Sequence, residues 1–178
     1  MKKIKNFAAF AAIILSFLTV YLPAFSQNAK LTDPEIASIA VTANQVDIDQ
    51  AAVAKEKSKN TEVLRFAETM TNDHKAVIAQ AVALVTKLKV TPKDNAVSKK
   101  LASDAAKTIA LLKTKSGKAF DKAYVDNEVA YHKAVISVVE GTLIPAATNE
   151  ELKALLEKVV PALKAHLEHA EMVQKSLK

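Results

Sequence analysis

The chain has 178 residues, of which 50% are hydrophobic, and it contains two glycines and no cysteine. The absence of cysteine excludes a disulfide scaffold, a thiolate metal site and a cysteine nucleophile, and two glycines are too few for a phosphate-binding loop or a dinucleotide fingerprint. The formal charge is +6, from 25 basic and 19 acidic residues. Because the lysines are dispersed among acids and Arg65 is the single arginine, we expect no nucleic-acid binding.

The first 26 residues have the pattern of a secretory signal peptide. Three lysines precede an apolar stretch over residues 7–22, and the small residues Ala24 and Ser26 stand at positions −3 and −1 of a cut after residue 26. An apolar stretch of this length is shorter than the roughly 20 residues that span a bilayer as a helix, which favours cleavage over retention as an anchor.

Cleavage would leave one mature domain over residues 27–178. Its formal charge falls from +6 to +3 because three lysines leave with the signal peptide and no acid does. A chain without cysteine suits an oxidising compartment, where a free thiol is a hazard. We therefore predict an exported protein of the periplasm or cell envelope, with no membrane span after cleavage.

The mature chain begins with two helical segments. A helix starts at residues 32–35, where a capping side chain, a proline and an early acid follow one another, and it continues to about Ser58. Residues 59–62 restart the helical pattern, which extends to about Lys89. The joint between the two helices is short, so they are predicted to form an antiparallel hairpin.

Three more helices follow, and no stretch shows the sustained alternation of a strand. A weaker helix runs from about Asn95 to Thr114 and is ended by Gly117, and a long one runs from about Lys118 to Leu143. The last helix starts at residues 148–151 and contains Pro161, which predicts a kink or a short break.

The weaker helix decides the topology of the bundle. Its roughly 30 Å are enough to carry the chain back along the bundle, which makes the long helices on either side of it parallel. A plain up-and-down bundle of five helices is the alternative.

Five polar residues occupy positions on the apolar faces of the long helices, where the helical pattern predicts apolar residues. They are Asp47 on the first helix, His74 on the second, Glu128 and His132 on the next long helix, and His166 on the last. Glu128 and His132 are four residues apart and share a helix face. All five lie near the middle of their helices, so they can meet in one polar layer across the bundle.

Such a layer has a functional and a structural interpretation. Imidazole and carboxylate together bind zinc, copper or iron, so a mononuclear metal site is one candidate, and His169 can add to it. The Glu-x-x-His signature of di-iron bundles is absent, because Thr71, Val129 and Leu163 stand three residues before the histidines. The alternative is a metal-free polar layer in which the histidines are hydrogen-bonded to acids or to Tyr124 or Tyr131. Asp73, beside His74, is expected to support a ligand rather than to be one.

Three segments resemble motifs of the domain of unknown function 4142 family. They are the residues 70–74 (MTNDH), 120–124 (FDKAY) together with His132, and 161–167 (PALKAHL). This resemblance implies an exported bacterial protein with a ferritin-like fold, an antiparallel four-helix bundle with a long helical crossover between its second and third helices. It singles out Asp121 and Tyr124 beside Asp47 and the three histidines, and it excludes Glu128 and His169 from the motifs.

No set of catalytic residues is recognisable, which favours a non-enzymatic protein. No serine accompanies a histidine and an acid in a nucleophile setting. Two functions lead: binding of a transition metal in the bundle core, or a structural role in the envelope, for example under stress, with the histidines as a metal-free layer. A catalytic role is third, and it would need an open coordination position or a redox metal.

Overall fold

The computed structural model describes residues 30–177, which form helices and contain no strand. The helices are α1, Asp33–Lys57; α2, Thr61–Leu88; α3, Ala96–Lys113; α4, Gly117–Val138; α5, Ile144–Ala146; and α6, Glu150–Ser176. A π-helical segment, Val139–Leu143, joins α4 to α5. The prediction of an all-helical protein is therefore confirmed, and each boundary that was predicted for the five long helices lies within two residues of the observed one, except the end of the fourth.

Side chains at the helix starts explain where the helices begin. Thr32 and Glu35 form a capping box at α1, in which the Glu35 carboxylate accepts from the Thr32 N–H at 3.0 Å. Asparagines cap three other helices, because the side-chain oxygens of Asn60, Asn95 and Asn149 accept from the first free N–H groups of α2, α3 and α6.

The prediction for Gly117 is wrong, and of the two outcomes predicted for Pro161, a kink or a short break, the break is absent from α6. Gly117 does not end α3; it has a φ of 54° and is the first residue of α4, after the N-cap Ser116. Pro161 does not break α6, which continues through it from Glu150 to Ser176. The fourth helix ends as an α-helix at Val138, five residues early, and the wider π turn precedes Pro145, which has no N–H to donate to the preceding turn.

Hydrogen bonds between helices fix their directions. The side chain of Asn95 donates to the carbonyl of Glu35 at 3.1 Å, and Lys57 donates to the carbonyl of Lys113 at 2.6 Å. The first bond joins the starts of α1 and α3, and the second joins their ends. Helix α3 is therefore parallel to α1. Tyr131 of α4 donates to Ala43 of α1 at 3.0 Å, and the start of α4 lies at the end of α1. Helix α4 is therefore antiparallel to α1 and parallel to α2.

The core consists of two apolar clusters with polar residues between them. One contains Phe66, Met70 and Tyr124, and the other contains Ile36 and Leu156. Helix α1 contacts α2, α3 and α4, and helix α6 contacts α2 and α4. The four helices α1, α2, α4 and α6 each contribute to the polar region between the two clusters.

The predicted signal peptide, residues 1–26, lies outside the described residues. Among residues 30–177, no helix combines the length and the apolar character needed to cross a membrane.

Candidate metal centre

Three histidines from three helices lie together in the polar region. The ring centroid of His74 is 5.8 Å from that of His132 and 5.1 Å from that of His166, and the last two are 5.6 Å apart. All three side chains are buried. One ring nitrogen from each histidine lies within 4.8 Å of one from each of the others, a spacing from which three nitrogens can bind one ion.

The hydrogen bonds of His74 determine which of its nitrogens carries the proton. Its Nδ1 lies 2.7 Å from Oδ1 of Asn44, and the Nδ2 of Asn44 donates to the carbonyl of Ala40 at 2.8 Å. The second bond orients the amide, so Oδ1 must be an acceptor and Nδ1 of His74 the donor. In the neutral ring, Nε2 of His74 therefore keeps its lone pair.

In each of the other two histidines, one ring nitrogen likewise donates to an oxygen and the other keeps its lone pair. Nδ1 of His132 donates to the main-chain carbonyl of Glu128 at 3.0 Å, and Nε2 of His166 donates to the carboxylate of Asp73 at 2.9 Å. The lone pairs are thus left on Nε2 of His132 and Nδ1 of His166.

The three nitrogens with lone pairs are buried and share a further property. Nε2 of His74, Nε2 of His132 and Nδ1 of His166 have no hydrogen-bond partner within residues 30–177. A buried nitrogen without a hydrogen-bond partner destabilises the folded protein. These three nitrogens are all acceptors, so none of them can donate a hydrogen bond to another. Metal-ligating histidines regularly have this arrangement, in which the nitrogen opposite the metal donates to an oxygen that holds the ring.

Asp47 and Glu128 lie beside the histidines as buried carboxyl groups. Oδ2 of Asp47 is 3.5 Å from Nε2 of His74, without a hydrogen bond between them. Two ligand atoms that are each about 2.1 Å from one tetrahedral ion are about 3.4 Å apart, so this separation suits two ligands of the same metal. Glu128 is fully buried, and neither of its carboxyl oxygens has a partner within the described residues. Asp47, Glu128 and His132 form a second group that meets the spacing of metal ligands.

Burial determines the protonation of the site. It lowers the pKa of His74 to about 3 and that of His132 to about 4, and the neighbouring His166 lowers both further. It raises the pKa of Asp47 to about 8 and raises the pKa of Glu128 well above its usual value, to which the charge of Asp47 contributes. At neutral pH the two histidines are neutral and ready to bind a metal, whereas the carboxyls keep their protons until a cation displaces them.

The family of the chain follows from a match over most of its length. Residues 21–173 match a family described as a domain of unknown function (DUF4142). The chain belongs to the DUF4142 family. The matched range includes all three segments on which the resemblance was based. No curated protein and no solved structure matches the chain.

The remaining predicted residues of this DUF4142 protein have different positions. Asp73 is close to the site, but it holds His166 rather than the adjacent His74. Asp121 accepts from the buried Ser58 hydroxyl at 2.6 Å, outside the histidine cluster. The buried hydroxyl of Tyr124 has no hydrogen-bond partner in the described part of the chain. His169 lies against the ring of Phe66, at 5.2 Å between centroids, and belongs to neither ligand group.

The hydrogen bonds expected of a metal-free layer are present in part, because His166 donates to an acid, Asp73, whereas neither tyrosine bonds a histidine of the described residues. Tyr131 donates to the carbonyl of Ala43 and not to a histidine, and no histidine within residues 30–177 partners Tyr124. Asn44, which holds His74, was missed by the sequence reasoning. Its position three residues before Asp47 places it on the same helix face, and this is the signal by which it could have been found.

Proposed function

We propose that this protein binds one transition-metal ion, zinc, copper or iron, through His74, His132 and His166. The observation that supports this most strongly is the set of three buried lone pairs, each on a ring whose other nitrogen donates to a protein oxygen. A divalent ion would satisfy all three nitrogens at once, which no proton arrangement among three neutral rings achieves.

Asp47 or Glu128 would complete the coordination. Asp47 is favoured by its 3.5 Å separation from Nε2 of His74, and Glu128 by its place in the group with Asp47 and His132. A carboxylate would also offset part of the charge that a divalent ion brings into the core, which neutral imidazoles cannot do. Three imidazoles with a carboxylate suit zinc, copper and iron rather than calcium or magnesium.

We further infer a ferritin-like four-helix arrangement of α1, α2, α4 and α6. The support is that α2 and α4 are parallel, with α3 returning along α1 between them. Export to the periplasm or envelope, with cleavage after residue 26, is inferred from the N-terminal sequence alone. The function proposed here is therefore that of an exported metal-binding protein.

The direct test is metal analysis of residues 27–178 purified without an affinity tag. After incubation with zinc, copper or iron and exhaustive dialysis, wild-type protein is expected to retain about one ion per chain of at least one metal. His132→Ala should retain less than a tenth of that amount. His169→Ala is the matched control, because it removes a histidine outside the cluster, and it should retain the wild-type amount. No retained ion in the wild type would instead support the metal-free polar layer.

A further inference from the structure

A cavity of about 790 Å³ lies among α1, α2, α3, α4 and α6. Its walls are aliphatic, with Ile39, Leu84, Leu101, Val138 and Leu156 among the lining residues. Apart from the two histidines described below, Tyr131 is the single aromatic residue among those that line it. The volume falls within the range of about 300–1,000 Å³ in which proteins bind small organic molecules. Walls of this kind suit a flexible alkyl chain better than a flat aromatic ligand, which would need stacking partners.

One end of the cavity is formed by the candidate metal centre. Asp47, His74 and His166 line the cavity, whereas Glu128 and His132 do not. The cluster thus has one side against the cavity and the other against packed protein. Each of these three side chains has a buried atom that lacks a partner within residues 30–177, namely Oδ1 of Asp47, Nε2 of His74 and Nδ1 of His166.

A divalent ion bound at this end would favour an anionic head group there, since without the ion the charged or titratable acids Asp47 and Asp73 line the same end. Lys100 and Lys133 line the cavity, but each is paired with an acid, Asp104 and Glu171 respectively. At the inner end the neutral histidines do not offset the positive charge of a divalent ion. An anion that binds the ion directly would offset that charge most effectively. Carboxylate oxygen is a ligand for zinc, copper and iron alike.

We propose that the cavity binds an unbranched aliphatic carboxylate such as decanoate, with its alkyl chain between the helices and its carboxylate on the metal. This inference rests on the proposed function, because the head group is assigned to the ion. It adds that the site is open on the side of Asp47, His74 and His166 and that its ligand is an amphiphile.

Ala81 and Ala83 provide a matched pair of positions for the test. Ala81 is buried on α2 and lines the cavity, whereas Ala83, two residues further on, is exposed and does not line it. Ala81→Phe fills part of the cavity about two helical turns from His74, and Ala83→Phe adds the same ring to the surface. Ala134→Phe on α4 also fills the cavity and replaces Ala81→Phe should that variant fail to show a cooperative melt.

The experiment is calorimetric titration of decanoate, below its micellar concentration, into zinc-loaded residues 27–178 whose zinc content has been measured. We expect saturable binding of one decanoate per chain, at least tenfold weaker binding to Ala81→Phe, unchanged binding to Ala83→Phe, and equal zinc in all three proteins. Decanol is expected to bind at least tenfold more weakly than decanoate.

The outcomes separate this inference from the proposed function. Retained zinc without saturable decanoate binding overturns the inference alone, as does equal affinity for Ala81→Phe and wild type. Decanol binding as tight as that of decanoate overturns the placement of the carboxylate on the metal. Failure to retain zinc overturns the proposed function, and the inference with it.

Discussion

Nε2 of His74 and Oδ2 of Asp47 lie 3.5 Å apart on neighbouring helices, both buried, and no hydrogen bond joins them. At neutral pH burial keeps both groups uncharged, since the pKa of His74 is lowered to about 3 and that of Asp47 is raised to about 8. Two uncharged groups at this distance contribute little to stability. The same two groups become ligands when a cation displaces the proton of Asp47, and the predictions below follow from this difference.

Replacement of His74 by leucine separates metal binding from folding. Leucine is close in volume and removes a buried imidazole, but it leaves Oδ1 of Asn44 without its donor. We expect the free energy of unfolding of the metal-free protein to change by less than about 1.5 kcal/mol, and zinc affinity to fall at least 100-fold. Urea denaturation gives the first quantity and calorimetry the second. Zinc at 100 times the wild-type dissociation constant should stabilise the wild type by about 2.7 kcal/mol and the variant by no more than about 0.4 kcal/mol. A large loss of stability with unchanged zinc affinity would contradict both parts.

The stability of the metal-free protein should fall as the pH rises from 6.5 to 8. The raised pKa of Asp47, about 8, and that of Glu128 mean that these carboxyls hold protons in the folded state and lose them on unfolding. Their contribution is complete below the unfolded pKa and is lost as the pH rises through the folded one, at up to about 1.4 kcal/mol per pH unit for each proton. His74 and His132 act in the opposite direction, because they are neutral when folded and take up protons on unfolding near pH 6.5. This contribution is smaller than that of the two carboxyls and fades toward pH 8.

Asp47→Asn tests the origin of this pH dependence. We expect its free energy of unfolding, measured by urea denaturation, to fall less steeply between pH 6.5 and 8 than that of the wild type. Asp104→Asn is the control, because lysines hold the pKa of Asp104 below its usual range and the carboxyl is ionised in both states. An identical slope in wild type and Asp47→Asn would show that Asp47 is not protonated in the folded protein.

Asn44 should affect metal affinity without binding the metal. Asn44→Leu removes the acceptor that fixes the proton of His74 on Nδ1, and we expect zinc to bind about 10- to 100-fold more weakly at unchanged stoichiometry. The matched control is Asn127→Leu, which removes an asparagine bonded to Gln50 and to no histidine. Calorimetric titration of zinc into both variants measures the two affinities. Affinity within twofold of the wild type, or an equal loss in both variants, would contradict the assigned role of Asn44.

Metal binding should release protons that come from carboxyls rather than from histidines. At pH 7 Asp47, with a pKa of about 8, is protonated, whereas His74 and His132 are already neutral. Zinc titrations in buffers of different ionisation enthalpy should therefore report the release of at least about 0.5 proton per ion, and less for Asp47→Asn. Equal release by the two proteins would place Asp47 outside the coordination.

The sequence predicted the helices well because their signals are local. Capping asparagines and apolar periodicity lie within a few residues of the feature that they determine, and the family motifs are contiguous segments. The five polar residues on the apolar stripes could also be found, since a buried position next to Met70 or Leu163 is visible in the pattern itself. The structure brings these five residues together in one region between the two apolar clusters.

Other features depend on contacts between distant segments. The proton positions on the histidines follow from bonds to Asn44, Asp73 and a main-chain carbonyl, two of which link different helices. The cavity exists because of how five helices are spaced, which no helical stripe encodes. Gly117 was misplaced because a glycine with positive φ suits both the end of one helix and the start of the next.

X-ray absorption at the zinc edge of zinc-loaded residues 27–178 tests the central claim most directly. We expect three imidazole nitrogens at about 2.0–2.1 Å and at least one oxygen, and two imidazoles when His132 is replaced by alanine. A first shell of oxygens alone, or a shell that His132→Ala leaves unchanged, would contradict a metal centre built on His74, His132 and His166.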